Sequence, residues 1–215
     1  MKKAFTMIEL VFVIIVIGIL AAMILPSTKT NPVQEAAIQL VSHIRYTQHL
    51  AMVDDKFNIN DANWYKKRWQ IVFGTNVNSG SVPAYTIFSD TAGDSTGDID
   101  DSEVAINPEN TNQVMSGGTT GSVSLKYGHK SFIGMNKLNI GKSYGISSYS
   151  LSGGCTGARV AFDNLGRPIK GDLSGNVMAY ENDNLIRTNC LITIGNGVTY
   201  IIIIVTPETG YTYIK

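Results

Sequence analysis

From Leu10 to Leu25 the chain carries no polar side chain, and this run constrains the fold more than any other feature. Counted from Phe5, about 20 residues at about 1.5 Å each make a helix of roughly 30 Å, enough to cross a hydrocarbon core. Lys2 and Lys3 precede the run. The positive-inside rule then places the short leader in the cytoplasm and everything after the run on the other side. One acid, Glu9, stands near the start of the apolar stretch. An ionisable group there is expensive and marks a function or a partner. A cleavable secretory signal needs a small-residue site after the apolar core, and Ala21-Ala22-Met23 is a weak one. A plain signal anchor leaves Glu9 without a role.

The residues around Glu9 form a pattern. Lys2-Lys3-Ala4 followed by Phe5-Thr6-Met7-Ile8-Glu9-Leu10 resembles the prepilin signature of type IV pilins and type II secretion pseudopilins. The resemblance implies that a prepilin peptidase cuts between Ala4 and Phe5, that the new amine on Phe5 is methylated, and that Glu9 is retained. Ala4 is a departure, since the family usually has Gly before the cut; Ala is the nearest small substitute. In a filament, the Phe5 amine of one subunit would pair with Glu9 of a neighbour. A buried charge with a charged partner is tolerated where a lone one is not, so such a pair sets register more than stability. Gly18, Ala21 and Ala22 would let helices approach closely, though small residues are also ordinary membrane-helix composition. Pro26 follows the run, and a proline inside a helix kinks or breaks it. In the resembled family a proline at this place loosens the helix on assembly. Pro32 is a second breaker, or the first residue of a new helix after Asn31.

The chain has 215 residues, with 17 basic and 17 acidic side chains. Removing residues 1–4 takes away two lysines and leaves 15 basic residues against 17 acidic ones. That balance is not that of a generic nucleic-acid binder. Cys155 and Cys190 lie in the exported part, where an oxidising space permits a disulfide. Closing the loop between them would contribute about 3–4 kcal/mol on the chain-entropy estimate; two free thiols are the alternative. Two cysteines without matching histidine spacing do not make a zinc site.

After Pro32, apolar residues recur at Val33, Ala37, Leu40, Val41, Ile44 and Ala51, the spacing of a helix with one apolar stripe. This helix should end near Asp54-Asp55 and continue the membrane segment as one long N-terminal helix. His43 and His49 are not spaced as a metal pair on one helix face and read as surface or domain-contact residues. From Trp64 onward short strand-like runs alternate with Gly, Asn, Ser and Asp clusters. Strands are expected near 68–73, 84–88, 103–106, 122–126, 158–162, 190–194, 198–205 and 211–214. Gly195-Asn196-Gly197 signals a hairpin, and Pro207-Glu208-Thr209-Gly210 a turn into the last strand. Ile201 to Val205 lacks alternation and should be buried on both faces. The stretch from Arg159 to Pro168 is similar to a segment of the H-type minor pseudopilins and their pilus relatives. So is the acidic loop after Phe88.

That loop holds Asp94, Asp98, Asp100 and Glu103, oxygen ligands of the kind calcium takes. They do not keep the spacing of an EF-hand, and clustered carboxylates in a Gly-rich loop are more often simply solvated. Lys66, Lys67 and Arg68 lie between Trp64-Tyr65 and Trp69. Basic residues interleaved with aromatics hold single-stranded nucleic acid by charge and stacking; the competing reading is a strand with a charged start that buries Trp69. No nucleophile constellation, Gly-x-Ser-x-Gly elbow or phosphate loop stands out. No cofactor is expected beyond the calcium reading.

The expected fold is α+β and pilin-like: a long N-terminal helix, its first half membrane-spanning, packed on an antiparallel β-sheet domain. The expected divisions are leader 1–4, transmembrane or filament-core helix 5–25, amphipathic second half 26–55 and periplasmic head 56–215. The resemblance implies a non-enzymatic minor pseudopilin or minor type IV pilin, a structural subunit at the tip or initiation point of a filament. Its partners would be other pilins or pseudopilins, the prepilin peptidase and the inner membrane. The alternative is a pilus-tip minor pilin that captures DNA for uptake.

Overall fold

A computed structural model of the chain describes residues 6–24, 31–92, 96–119, 122–181 and 184–215. The chain divides into two compact units, Met1–Asn31 and Pro32–Lys215.

The first unit contains one helix, α1 (Met7–Ile24). Its apolar side chains from Met7 to Leu20 are all exposed, Met7 at 87% and Leu20 at 54%. No polar stripe divides its surface. A helix apolar all round is the kind that is buried in a large core or a membrane. Among the described residues, no helix is long and apolar enough to cross a membrane. The 18 residues of α1 rise about 27 Å, just short of a core of about 30 Å. The expected span 5–25 extends past them at both ends, and the processing pair Ala4 and Phe5 lies outside the described residues, as does Pro26.

The second unit begins with α2 (Pro32–Val53). Pro32 occupies the first helical position, where its missing N–H costs nothing and its fixed φ suits the helix. The predicted stripe is buried, and Ala36 and Thr47 join it. Thr47 satisfies its hydroxyl on the His43 carbonyl one turn back, at 2.8 Å. The helix stops at Val53, just before the paired aspartates.

Two antiparallel four-stranded sheets complete this unit. The first contains β1 (Trp69–Gly74), β2 (Ala84–Ser89), β4 (Arg159–Phe162) and β5 (Pro168–Lys170), in the order β2-β1-β4-β5. The second contains β3 (Ser148–Gly153), β6 (Cys190–Gly195), β7 (Tyr200–Val205) and β8 (Thr212–Ile214), in the order β3-β6-β7-β8. A short helix, α3 (Ile140–Tyr144), precedes β3. The α2 stripe packs on β1 and β4 of one sheet and β6, β7 and β8 of the other. Leu40 and Ile44 meet Ile71, Phe162, Ile192 and Ile203 in one core, all fully buried. Each such side chain contributes about 1.5–3 kcal/mol.

Several expectations need correction. Residues 103–106 form no strand; Val104 and Ile106 make isolated bridges to Phe88 and Val114. Residues 122–126 close turns on themselves, Leu125 N to Ser122 O at 3.2 Å, while Leu125 still drops into the core. Val198 and Thr199 belong to the hairpin loop rather than to a strand. Of the run Ile201 to Val205, only Ile203, Ile204 and Val205 are buried, while Ile201 and Ile202 stay half-exposed. The hairpin itself is present. The Asn196 side chain accepts from Val198 N at 3.0 Å and Thr199 N at 2.8 Å, with Gly197 at φ 88°.

Candidate functional site

The first turn of α1 organises Glu9. Thr6 precedes the helix, and its N–H and hydroxyl both donate to Glu9 Oε2, at 3.0 and 2.8 Å. Glu9 N lies 3.4 Å from Thr6 Oγ1, the reciprocal half of a capping box. The carboxylate therefore has a local partner within its own chain and still faces outward from an exposed helix. Thr-x-x-Glu before an apolar run is a sequence-level signal of this cap, and the reading from the resemblance alone passed over it.

The segment from Arg159 to Pro168 is β4, a turn and the first residue of β5. Asp163 sits at its centre, fully buried. Its Oδ1 accepts from Leu165 N at 3.0 Å and Arg167 N at 2.8 Å, and its Oδ2 from Arg167 Nε at 2.7 Å and the Tyr180 hydroxyl at 3.1 Å. That pairing pushes the Arg167 guanidinium up from its ordinary value. The turn is tied to α2 by Gln48, whose Nε2 donates to Gly166 O at 2.8 Å and to Thr209 O at 2.7 Å. One amide thus holds the β4–β5 and β7–β8 turns to one helix.

The basic triplet is not a surface patch. Arg68 is buried at 4% exposure and donates to Ala179 O at 2.7 Å. Its guanidinium lies between the rings of Trp64 and Tyr180, 5.0 and 4.6 Å from their centroids, and Arg167 lies 5.3 Å from the centroid of the same tyrosine. Burial pushes Arg68 down from its ordinary value; a guanidinium stays charged regardless. Lys67 pairs with Asp61 at 2.8 Å, and Lys66 closes a turn through its own N–H to Asn63 O at 2.9 Å. Two of the three cations, Arg68 and Lys67, are thus engaged by groups of the head itself.

The acidic loop is organised by Glu103, which is buried at 5%. Its Oε1 accepts from Thr91 N, the Thr91 hydroxyl and Ala92 N at 2.7, 3.0 and 3.2 Å, and its Oε2 from Asp100 N at 3.1 Å. The carboxylate is thus engaged in fixing the loop. Asp98 accepts from the Thr96 hydroxyl, Asp100 is exposed, and Asp94 lies outside the described residues. Among the described residues, no three His, Cys, Asp or Glu side chains form a group that could hold a metal.

Cys155 and Cys190 are joined in a disulfide with Cα atoms 4.8 Å apart. Both are buried, and the bond ties the loop after β3 to the start of β6. His43, read from sequence as a surface or domain-contact residue, is half-buried with Nδ1 2.7 Å from the Tyr85 hydroxyl. Gln39 donates to the same hydroxyl at 2.8 Å and to Lys137 O at 2.9 Å, and accepts from the Tyr144 hydroxyl at 2.8 Å. Burial lowers His43 to about 4 and raises Tyr85. Gln39 and His43 lie one turn apart on α2, the only hint of this network in the sequence. No protein-family model, curated protein or solved structure matches this chain.

Proposed function

We propose that this chain is a minor pseudopilin or minor type IV pilin, a non-enzymatic structural subunit of a type II secretion pseudopilus or type IV pilus. The observation that carries the reading is α1: apolar on every side, exposed from Met7 to Leu20 and bearing one outward-facing carboxylate in its first turn. Exposed apolar surface of this extent marks a protein or membrane contact. In this reading residues 5–25 lie in the inner membrane before assembly and among neighbouring helices afterwards. The unit Pro32–Lys215 is the periplasmic head. A prepilin peptidase removes residues 1–4, Phe5 is methylated, and Glu9 exchanges its local Thr6 partner for the amine of an adjoining subunit.

DNA capture at a pilus tip gains nothing from the triplet that suggested it, because Arg68 is enclosed by two rings and Lys67 is paired. Calcium is retained only as a minor proposal for the acidic loop, where Glu103 is already engaged.

Mass spectrometry of the protein purified from membranes tests the reading. A first residue of methylated Phe5 supports it. A chain that keeps residues 1–4, or begins after residue 25, overturns it.

A further inference from the structure

Each sheet has two edge strands, and an open edge is a row of backbone donors and acceptors that templates a further strand. Two of the four edges here, β2 and β5, are covered by backbone from other segments, and a third, β8, is three residues long and has one carbonyl taken up by a side chain. Bridges from Ser116 and Val104 lie along β2, a bridge from Leu185 lies along β5, and Arg45 donates through Nε and Nη2 to Thr212 O on β8, at 3.1 and 2.6 Å. The longest open edge is β3, six residues that pair with β6 alone. Its sequence, Ser-Tyr-Ser-Leu-Ser-Gly, holds no charge and no proline, the residues that usually blunt an edge.

The register shows which groups are open. Asn196 N donates to Thr199 O at 3.1 Å across the β6–β7 hairpin. Stepping by two along the register, Ile194 bonds with Ile201 and Ile192 with Ile203. The intervening Leu191, Thr193 and Gly195 then bond with Ser152, Ser150 and Ser148. Tyr149 and Leu151 therefore aim their N–H and C=O groups away from β6. Among the described residues, no backbone hydrogen bond takes them up.

We propose that β3 is a docking edge for β3 of a second copy of this chain, paired antiparallel about Ser150. Tyr149 of each copy forms a hydrogen-bonded pair with Leu151 of the other, and the two second sheets become one continuous sheet. The side chains fit this occupant. The outward row is Ser148, Ser150 and Ser152, all exposed, so serine meets serine, and hydroxyl pairs across strands are favourable. Like charges opposite one another would destabilise self-pairing, and this strand has none. Nothing on it selects a charged foreign segment. The contact closes on a two-fold axis, giving a pair rather than a chain of copies. It involves only the unit Pro32–Lys215 and is independent of the anchoring proposed above.

The test is site-directed cysteine cross-linking of the full-length protein in detergent, with the native disulfide intact, read on non-reducing gels. At the two-fold axis, residue 150 faces itself across a non-hydrogen-bonded pair of about 4.5 Å between Cα atoms, within disulfide reach. Ser150→Cys is expected to give a covalent dimer about tenfold above Ser148→Cys or Ser152→Cys alone, whose equivalent positions lie too far apart. Mixing Ser148→Cys with Ser152→Cys is expected to restore the cross-link, because those positions face each other in this register. Equal yields at all three positions, no cross-link on mixing, or capture of a different polypeptide by Ser150→Cys in cells would each overturn the proposal.

Discussion

Nδ1 of His43 lies 2.7 Å from the Tyr85 hydroxyl. That hydroxyl accepts from Gln39 and shares a second hydrogen bond with the His43 ring, whose tautomer sets which of the two donates. Burial holds His43 at about 4 in the folded chain, against about 6.5 unfolded. Between those values the unfolded chain binds more protons, so stability is full above about pH 6.5 and is lost as pH falls toward 4. The whole effect is on the order of 3 kcal/mol. Urea denaturation should show the midpoint falling from pH 6.5 to 5, and His43→Gln should flatten that decline.

Glu9 has two candidate jobs, capping α1 and pairing with a neighbour, and two substitutions separate them. Glu9→Gln keeps an oxygen for Thr6 but removes the charge; Thr6→Ala removes the cap but keeps the charge. Under the proposed function, Glu9→Gln lowers recovery in sheared filaments about tenfold, because a buried amine then lacks its counter-charge. Thr6→Ala leaves recovery near that of the parent. The reverse order would assign the carboxylate to the cap alone.

Asp163 should be among the most sensitive positions in the head. Asp163→Ala leaves two backbone N–H groups without their acceptor, takes from Arg167 its ion-pair partner and removes one of the anions that act on Arg68. A loss of about 3–5 kcal/mol follows from breaking a buried, charge-assisted network. Guanidinium denaturation measures it.

Gln48→Ala removes both bonds from α2 to the two turns and should cost about 1–3 kcal/mol. Gly210→Ala should cost more. Gly210 holds φ at +63°, and a Cβ there would lie 2.5 Å from the Gly166 carbonyl oxygen, a backbone atom unable to step aside. Thermal melts of the two variants should rank them in that order.

Reducing the Cys155–Cys190 bond, or replacing both residues by Ser, should lower head stability by about 3–4 kcal/mol on the chain-entropy estimate. Denaturation with and without reductant reads the difference.

The α2 stripe, the central strands and both turns were legible because each rests on local periodicity or on residues suited to a turn. β3 was not, since alternating serines resemble a loop until Tyr149 and Leu151 are seen against the core. β5 opens with Pro168, which argues against a strand anywhere but at an edge. Within 107–149 the one expected strand, 122–126, is absent for a different reason. The apolar residues of this stretch, such as Leu125, Leu138 and Ile140, anchor turns singly rather than in a repeat. Arg68 and Glu103 read as surface charges because nothing nearby in sequence announces the rings and amides that enclose them. Tyr180 reaches Arg68 from far along the chain.

The uniform coat of α1 has a mechanical consequence. A rod that presents the same chemistry at every azimuth gives a neighbour no chemical cue to turn or halt. The polar cues on the described part of α1 lie in its first turn, where Thr6 and Glu9 sit, and the gap in side-chain cover at Gly18 is a cue of shape further along. Under the proposed function, side-by-side copies of α1 would then be held in register by their polar first turns more than by the apolar faces beyond them.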